Sequence, residues 1–311
     1  MTEKLVILAG GISSRMKKSA GQASIDGRLE RDADNKAKAM IGVGERQRPL
    51  MDFLLFNARE AGYGDIVIVI GEGDSSVRTH YGPRDRGNLY HGLSVSYAVQ
   101  RIPEGRTKPL GTADALLQAL CSRPDWQESR FTVCNSDNIY SVAALTALRL
   151  LPSSGGMIGY DRAALKFARS RIEQFAVART DRDGYLVDII EKPEPADILA
   201  ATDAEGRVAV SMNVWRLSCK QVVPYLESVP LHPVRMEKEL PVAIRMLIRD
   251  HPRAIRVIPL AEEVPDLTSK DDITTVQQYL RTHFRPSLWD EEDAQVRHEQ
   301  APEPRGDTDA Q

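Results

Sequence analysis

At 311 residues the chain is long enough to bury a sizeable core in one large α/β domain, with at most a small appendage. A formal net charge of −3 excludes a non-specific nucleic-acid binder, and no apolar stretch is long enough to cross a bilayer. Cys121, Cys134 and Cys219 are odd in number and form no C-x-x-C pair, which gives no zinc site and favours reduced thiols in a cytoplasmic protein.

In chain order, residues 5–8 are an apolar run too short for a helix, and Gly10, Gly11, Ser13, Ser14 and Arg15 follow. This reads as a buried strand that delivers a glycine turn to the carboxyl edge of a sheet, where open α/β folds bind ligands. The glycines let backbone N–H groups approach an anion, and Arg15 adds a positive fork for phosphate oxygens. Neither G-x-G-x-x-G nor the Gly-Lys-Ser/Thr of a P-loop is present, which sets a dinucleotide oxidoreductase aside. Residues 17–37 are polar and mixed in charge, and we expect a mobile insertion able to fold over a phosphate ligand, with an inert surface loop as the alternative. Residues 66–70, 131–134 and 254–259 read as further buried strands, and 112–120 as a helix. This alternation predicts a three-layer, mainly parallel α/β sheet. From 172 to 217 the texture becomes β-rich, over 174–179, 185–190 and 208–217, with a hairpin turn at Asp181-Arg182-Asp183-Gly184. An antiparallel subregion built onto the sheet is the expectation there. Residues 285–311 are rich in Asp, Glu, Pro and Gln and are expected to be a disordered acidic tail, leaving 1–284 as the domain. The six histidines are scattered without metal-ligand spacing, and no G-x-S-x-G is present.

Leu8-Ala9-Gly10-Gly11-Ile12-Ser13-Ser14-Arg15-Met16 resembles the opening signature L-A-G-G-x-G/S-S/T-R-M/L of the sugar-phosphate nucleotidyltransferases. Ser13, in place of a third glycine, is similar to the molybdenum-cofactor guanylyltransferases of the same superfamily. Lys38-Ala39-Met40-Ile41-Gly42-Val43-Gly44, with Pro49-Leu50 after it, resembles the second signature P-K-A-L-L-P-V-G, in which the lysine binds triphosphate oxygens. Ala37 departs from the usual proline, and Lys36 competes for the same role. Leu110-Gly111-Thr112-Ala113-Asp114-Ala115-Leu116 closely resembles L-G-T-A-x-A-[VL], and the segment 103–109 before it is similar to one in a less studied branch. Free N–H groups at a helix start and the small Ala113 suit a flat nucleobase, whereas the residues alone read as a helix with Thr112 as its N-cap. Asp137, in Cys134-Asn135-Ser136-Asp137-Asn138-Ile139-Tyr140, matches the carboxylate of G-D-x-x-Y. It should sit at a strand end and hold magnesium. Glu191-Lys192-Pro193 matches E-K-P, which implies Glu191 on sugar hydroxyls and Lys192 on the sugar phosphate. Asn213 in Ser211-Met212-Asn213-Val214-Trp215-Arg216-Leu217 resembles the asparagine of N-x-G-x-Y-x-F, a further sugar contact. Asp266 aligns with the second metal carboxylate of W-x-D-x-G-T-x-x-D, although Pro265 and Ser269 depart from that motif.

The resemblance spans residues 5–272 and implies a glycosyltransferase-A-like, Rossmann-like nucleotidyltransferase whose antiparallel subregion binds the sugar. The implied reaction joins an NTP and a sugar 1-phosphate into an NDP-sugar with release of pyrophosphate, using Mg2+. Arg15, Lys38 and Lys192 would act on the phosphates. Leu8, Ala9, Gly10, Gly11, Ser13, Ser14, Gly111, Thr112 and Ala113 would hold the nucleotide, and Glu191, Lys192 and Asn213 the sugar. Asp137 and Asp266 would hold the metal. No nucleic-acid or membrane partner is expected, and a homo-oligomer is left open. The alternatives are a molybdenum-cofactor-type guanylyltransferase and a non-catalytic nucleotide-sugar-binding protein.

Overall fold

The computed structural model describes residues 2–12, 16–17 and 26–289. Strand β1 (Glu3–Leu8) is followed by α1 (Gly27–Asn35), a 3-10 turn (Lys38–Met40), α2 (Leu50–Glu60), β2 (Tyr63–Gly71), α3 (Ser76–Tyr81), β3 (Asn88–Tyr90) and β4 (Leu93–Gln100). Next come α4 (Thr112–Ser122), β5 (Arg130–Asn135), α5 (Val142–Leu150), β6 (Gly155–Asp161), α6 (Arg169–Ile172), β7 (Val177–Thr180), β8 (Leu186–Ile190) and α7 (Pro195–Ala200). The remaining elements are β9 (Ala209–Ser218), α8 (Cys219–Ser228), α9 (Leu240–Asp250), β10 (Ile255–Leu260) and α10 (Asp272–His283).

The strands form one sheet in the order β10-β6-β9-β5-β1-β2-β4-β3, with β7 and β8 extending from β9. β1 pairs in parallel with β2 and β5, β2 with β4, and β6 with β10, while β9 runs antiparallel between β5 and β6. Strand alternation makes three layers. Leu5 and Ile7 join Phe53, Leu54, Leu145 and Val276 on one face, and Val6 joins Leu116, Val222 and Ile244 on the other. Each such fully buried side chain contributes about 1.5–3 kcal/mol of transfer free energy. The antiparallel subregion is β8-β7-β9, and its hairpin turn closes as Gly184 N–H donates to Asp181 O at 3.0 Å.

Two expectations change. The second half of the 17–37 insertion is not a loop: α1 is capped at its start by Asp26, whose carboxylate accepts from Arg28 N–H at 2.8 Å, and it buries Leu29 and Ala33. Its apolar stripe is only those two residues at i and i+4, too sparse to read as a period in a charged stretch. Residues 18–25 of the expected insertion lie outside the described residues. The packed chain also runs past Arg285, since Leu288 and Trp289 are buried, and residues 290–311 lie outside the described residues. No described helix is long and apolar enough to cross a membrane.

Candidate active site

The carboxyl ends of β1 and β5 open onto a cavity of about 440 Å³. β1 has neighbours β2 and β5 on its two sides, so this edge is the switch point where a parallel sheet leaves a crevice. The turn after β1 is pinned there, with Ala9 N–H donating to Val69 O at 2.9 Å and Ser136 N–H to Leu8 O at 3.3 Å. Leu8, Ala9, Gly10 and Gly11 all line the cavity. A Cβ at Gly10 would lie 3.0 Å from Gln100 Oε1, whereas one at Gly11 would meet nothing within 4 Å, so Gly11 is the open face of the turn. Ser13, Ser14 and Arg15 lie outside the described residues.

Lys38 opens the 3-10 turn and reaches across to Asp137, with Nζ 2.8 Å from Oδ2, and both residues line the cavity. Lys36, the competitor, is instead paired with Asp32 at 2.9 Å on its own helix and lies off the cavity wall. Asp137 follows the last residues of β5, so the strand places its carboxylate at the cleft.

Glu191 and Asn213 reach the same cavity from β8 and β9. Asn213 holds a positive φ of 55°, an uncommon backbone for a non-glycine and a feature that clusters at binding sites. Lys192 is not brought there. Its φ is 49° and the residue is exposed at the turn after β8, and although its neighbour Glu191 lines the cavity, Lys192 does not. Besides Lys38, the lining cations among the described residues are Lys108 and Arg235, and Arg235 pairs with Glu191 at 3.3 Å and Glu239 at 2.7 Å. Burial and the Glu191 charge hold the Glu239 carboxyl above its ordinary range, against the pull of Arg235.

Gly111 and Thr112 line the cavity, but Ala113 is fully buried and its N–H is spent on Lys238 O at 3.0 Å. Thr112 does not cap its own helix either. The N-cap of α4 is Gly111, and the Thr112 hydroxyl accepts from Leu240 N–H, 2.9 Å away at the start of α9.

Asp266 sits beside Asp137 through backbone pairing: Asn138 and Asp266 form a bridge, and Leu267 N–H donates to Asp137 O at 2.8 Å. Its carboxylate, however, turns to an adjoining cavity of about 550 Å³, where Arg171 Nη2 lies 2.7 Å from Oδ2 and Thr268 Oγ1 donates to Oδ1 at 2.7 Å. Burial and then the Asp137 charge raise the Asp266 carboxyl, with Arg171 opposing. The two carboxylates repel, and such a pair is a donor set suited to a hard divalent cation, which needs few protein ligands and keeps several waters; in this structure Lys38 holds Asp137 and Arg171 holds Asp266. Among the described residues no group of three or more His, Cys, Asp or Glu is arranged so that it could hold a metal ion.

Sequence reasoning missed Gln100, Lys108, Arg235, Glu237 and Glu239 on the cavity wall. Gln100 ends β4 and donates to Gly111 O and Asp114 Oδ2, both at 2.8 Å, so it braces the motif from beneath. Lys108 lay in the 103–109 segment already singled out. Arg235 and Glu239 come from an irregular loop that carries no periodic signal.

A family model described as nucleotidyl transferase matches residues 32–239, a span that contains Lys38, Gly111, Asp137, Glu191 and Asn213. The chain belongs to the nucleotidyl transferase family. Among curated relatives of this family, the glucose-1-phosphate adenylyltransferase of Cutibacterium acnes is 26% identical over 192 residues, covering 62% of this chain and 46% of that protein. The enzyme of the same name from Streptomyces coelicolor is 26% identical over 285 residues, covering 90% of this chain and 67% of that protein. The chain thus spans about half to two thirds of the length of these two relatives. In fold, a UTP-bound UGPase from Acinetobacter baumannii superposes with a TM-score of 0.65 at 18% identity, covering 97% of this chain and all of that one. A UDP-glucose pyrophosphorylase complexed with UDP-glucose gives 0.63 at 15% identity, covering 91% and 99%.

Proposed function

We propose that this chain transfers a nucleotidyl group from an NTP to a sugar 1-phosphate, releasing pyrophosphate, with magnesium. The observation that carries the reading is one cavity at the sheet's carboxyl edge. It gathers the Gly10-Gly11 turn, the Lys38–Asp137 pair, Glu191 and Asn213. In this reaction an oxygen of the sugar phosphate attacks the α-phosphorus. A P–O bond forms, and the bond to the bridging oxygen of the leaving pyrophosphate breaks. Both substrates are polyanions, so the protein's work is to position them and to neutralise charge, and no protein nucleophile is required.

The turn at Gly10 and Gly11 offers backbone donors to the triphosphate, and Lys38 supplies a compact cation beside it. Asp137, with Asp266 behind it, would hold magnesium, which supplies positive charge against the α-phosphate. Glu191 and Asn213 suit sugar hydroxyls. Lys108 and Arg235 suit the sugar phosphate, the role that the motif alone gave to Lys192. Relatives named glucose-1-phosphate adenylyltransferase support glucose 1-phosphate and ATP as the first pair to try. The test mixes the purified chain with magnesium, each of ATP, UTP, dTTP and GTP, and a panel of sugar 1-phosphates, and follows pyrophosphate. Release that needs both substrates is expected. Nucleotide-sugar binding without release under any pairing would overturn catalysis in favour of a binding protein.

A further inference from the structure

Four hydrogen bonds tie the Gly-Thr-Ala motif and the 103–109 segment before it to the loop that carries Arg235. Arg106 Nη2 donates to Met236 O at 2.6 Å, and Lys238 N–H to Leu110 O at 2.5 Å. Ala113 N–H donates to Lys238 O at 3.0 Å, and Leu240 N–H to Thr112 Oγ1 at 2.9 Å. The last of these is a cap supplied from a distance. The N-cap of α9 is Glu239, whose side chain makes no capping bond, and the Thr112 hydroxyl takes up the orphan donor of the helix start. Gly111 permits the approach, because its φ of 107° is a glycine conformation and a Cβ there would lie 2.6 Å from Lys238 O. The loop so held is itself constrained, with Met236 at a φ of 55°. Arg235 and Glu239 flank this tied stretch, and both face the cavity.

We propose that Thr112 is a positioning residue for the sugar-phosphate side of the cavity, although its motif belongs by resemblance to the nucleotide side. By fixing the start of α9 it fixes Glu239, and through the Glu239–Arg235 pair it sets the reach of the Arg235 guanidinium. This assignment rests on the transferase reading given above. It makes the two half-sites mechanically continuous: the wall that accepts the nucleotide is the anchor of the loop that accepts the second anion.

The test compares Thr112→Val, which keeps the branched shape but removes the acceptor, with Thr112→Ser, which keeps the hydroxyl. In Thr112→Val the KM for the sugar phosphate should rise about five- to tenfold, the size of one lost hydrogen bond, while the KM for the NTP stays within about twofold. Trypsin should also cut faster after Arg235 and Lys238 in Thr112→Val, and Thr112→Ser should restore both readouts. A rise in the KM for the NTP, equal rises for both substrates, or unchanged trypsin cleavage would each overturn the assignment. Should Thr112→Val not fold, Thr112→Ala is read in the same way. If the native chain shows no turnover with any substrate pair, the transferase reading fails, and the trypsin comparison still decides whether Thr112 holds the loop.

Discussion

Asp137 and Asp266 are where single atoms decide most. Asp137→Asn removes one charge at nearly constant volume, so the loss should fall on transition-state electrostatics rather than on packing. Turnover should drop by about 3 kcal/mol or more, some hundredfold, with the melting temperature little changed. The partly exposed Lys38–Asp137 pair contributes too little stability to alter that expectation. Steady-state pyrophosphate release and thermal melts on the same sample check both halves, and near-native turnover would remove Asp137 from the metal role. Asp266 adds a pH dependence. Burial and the Asp137 charge raise its carboxyl, so the folded state holds that proton more tightly than the unfolded chain does. Its contribution to stability is therefore present below the unfolded pKa and is lost as pH rises through the folded one. A cation bound between the two carboxylates relieves that repulsion only once the proton has left. Magnesium should accordingly raise the melting temperature more at neutral pH than near the ordinary carboxylate range of about 4, and Asp266→Asn should flatten the difference. An equal magnesium effect at both pH values would show that Asp266 is not a ligand.

At the scale of elements, the same physics explains what was readable and what was not. β1, β2, β5 and β10 are apolar runs bounded by turn residues, so each announces itself, and β5 carries Asp137 to the cleft with it. β6 was silent because it holds Gly155, Gly156 and Gly159, residues that ordinarily weaken strands. The structure requires them: a Cβ at Gly156 would lie 2.2 Å from Leu151 Cδ2, and one at Gly159 2.6 Å from Val257 Cγ1. That Gly11, Lys38 and Asp137 meet at one cavity was legible because each sits in one short segment with its own signature. The partner of Thr112 was not, since Leu240 lies 128 residues away and no local pattern marks the bond. α1 escaped for a third reason, its charge. It is nevertheless docked, with Lys270 Nζ 2.8 Å from Asp34 Oδ1 and Gly42 N–H donating to Asp32 Oδ2 at 3.3 Å. Leu29→Ala should therefore destabilise the protein by about 2 kcal/mol or more, read as a shifted denaturant midpoint. No shift would return this segment to the inert insertion that its composition resembles.

At the scale of the molecule, the chain closes its helical layer with residues beyond α10. Trp289 is 2% exposed. Its ring stacks on His91 at 4.2 Å and meets Phe56 edge-on at 5.3 Å, and the Arg59 guanidinium lies 4.7 Å from its centroid. Phe284, at the end of α10, packs edge-on against Phe53 at 5.0 Å. This short stretch thus bridges α2 and the β3–β4 turn, two elements far from it in the chain, over the face of the sheet opposite α4. A large aromatic side chain buried in this way is worth about 3–5 kcal/mol on truncation to alanine, a large share of a typical domain's net stability. A chain ending at residue 284 should consequently melt well below the full-length protein. One ending at residue 289 should melt with the full-length protein, because residues 290–311 hold few apolar side chains with which to add to the core. Trp289→Ala in the full-length chain separates the two effects and should reproduce most of the loss seen on ending at 284. Thermal melts of the three variants decide the matter, and equal midpoints for the chains ending at 284 and 289 would mean that the Trp289 contacts contribute nothing to the fold.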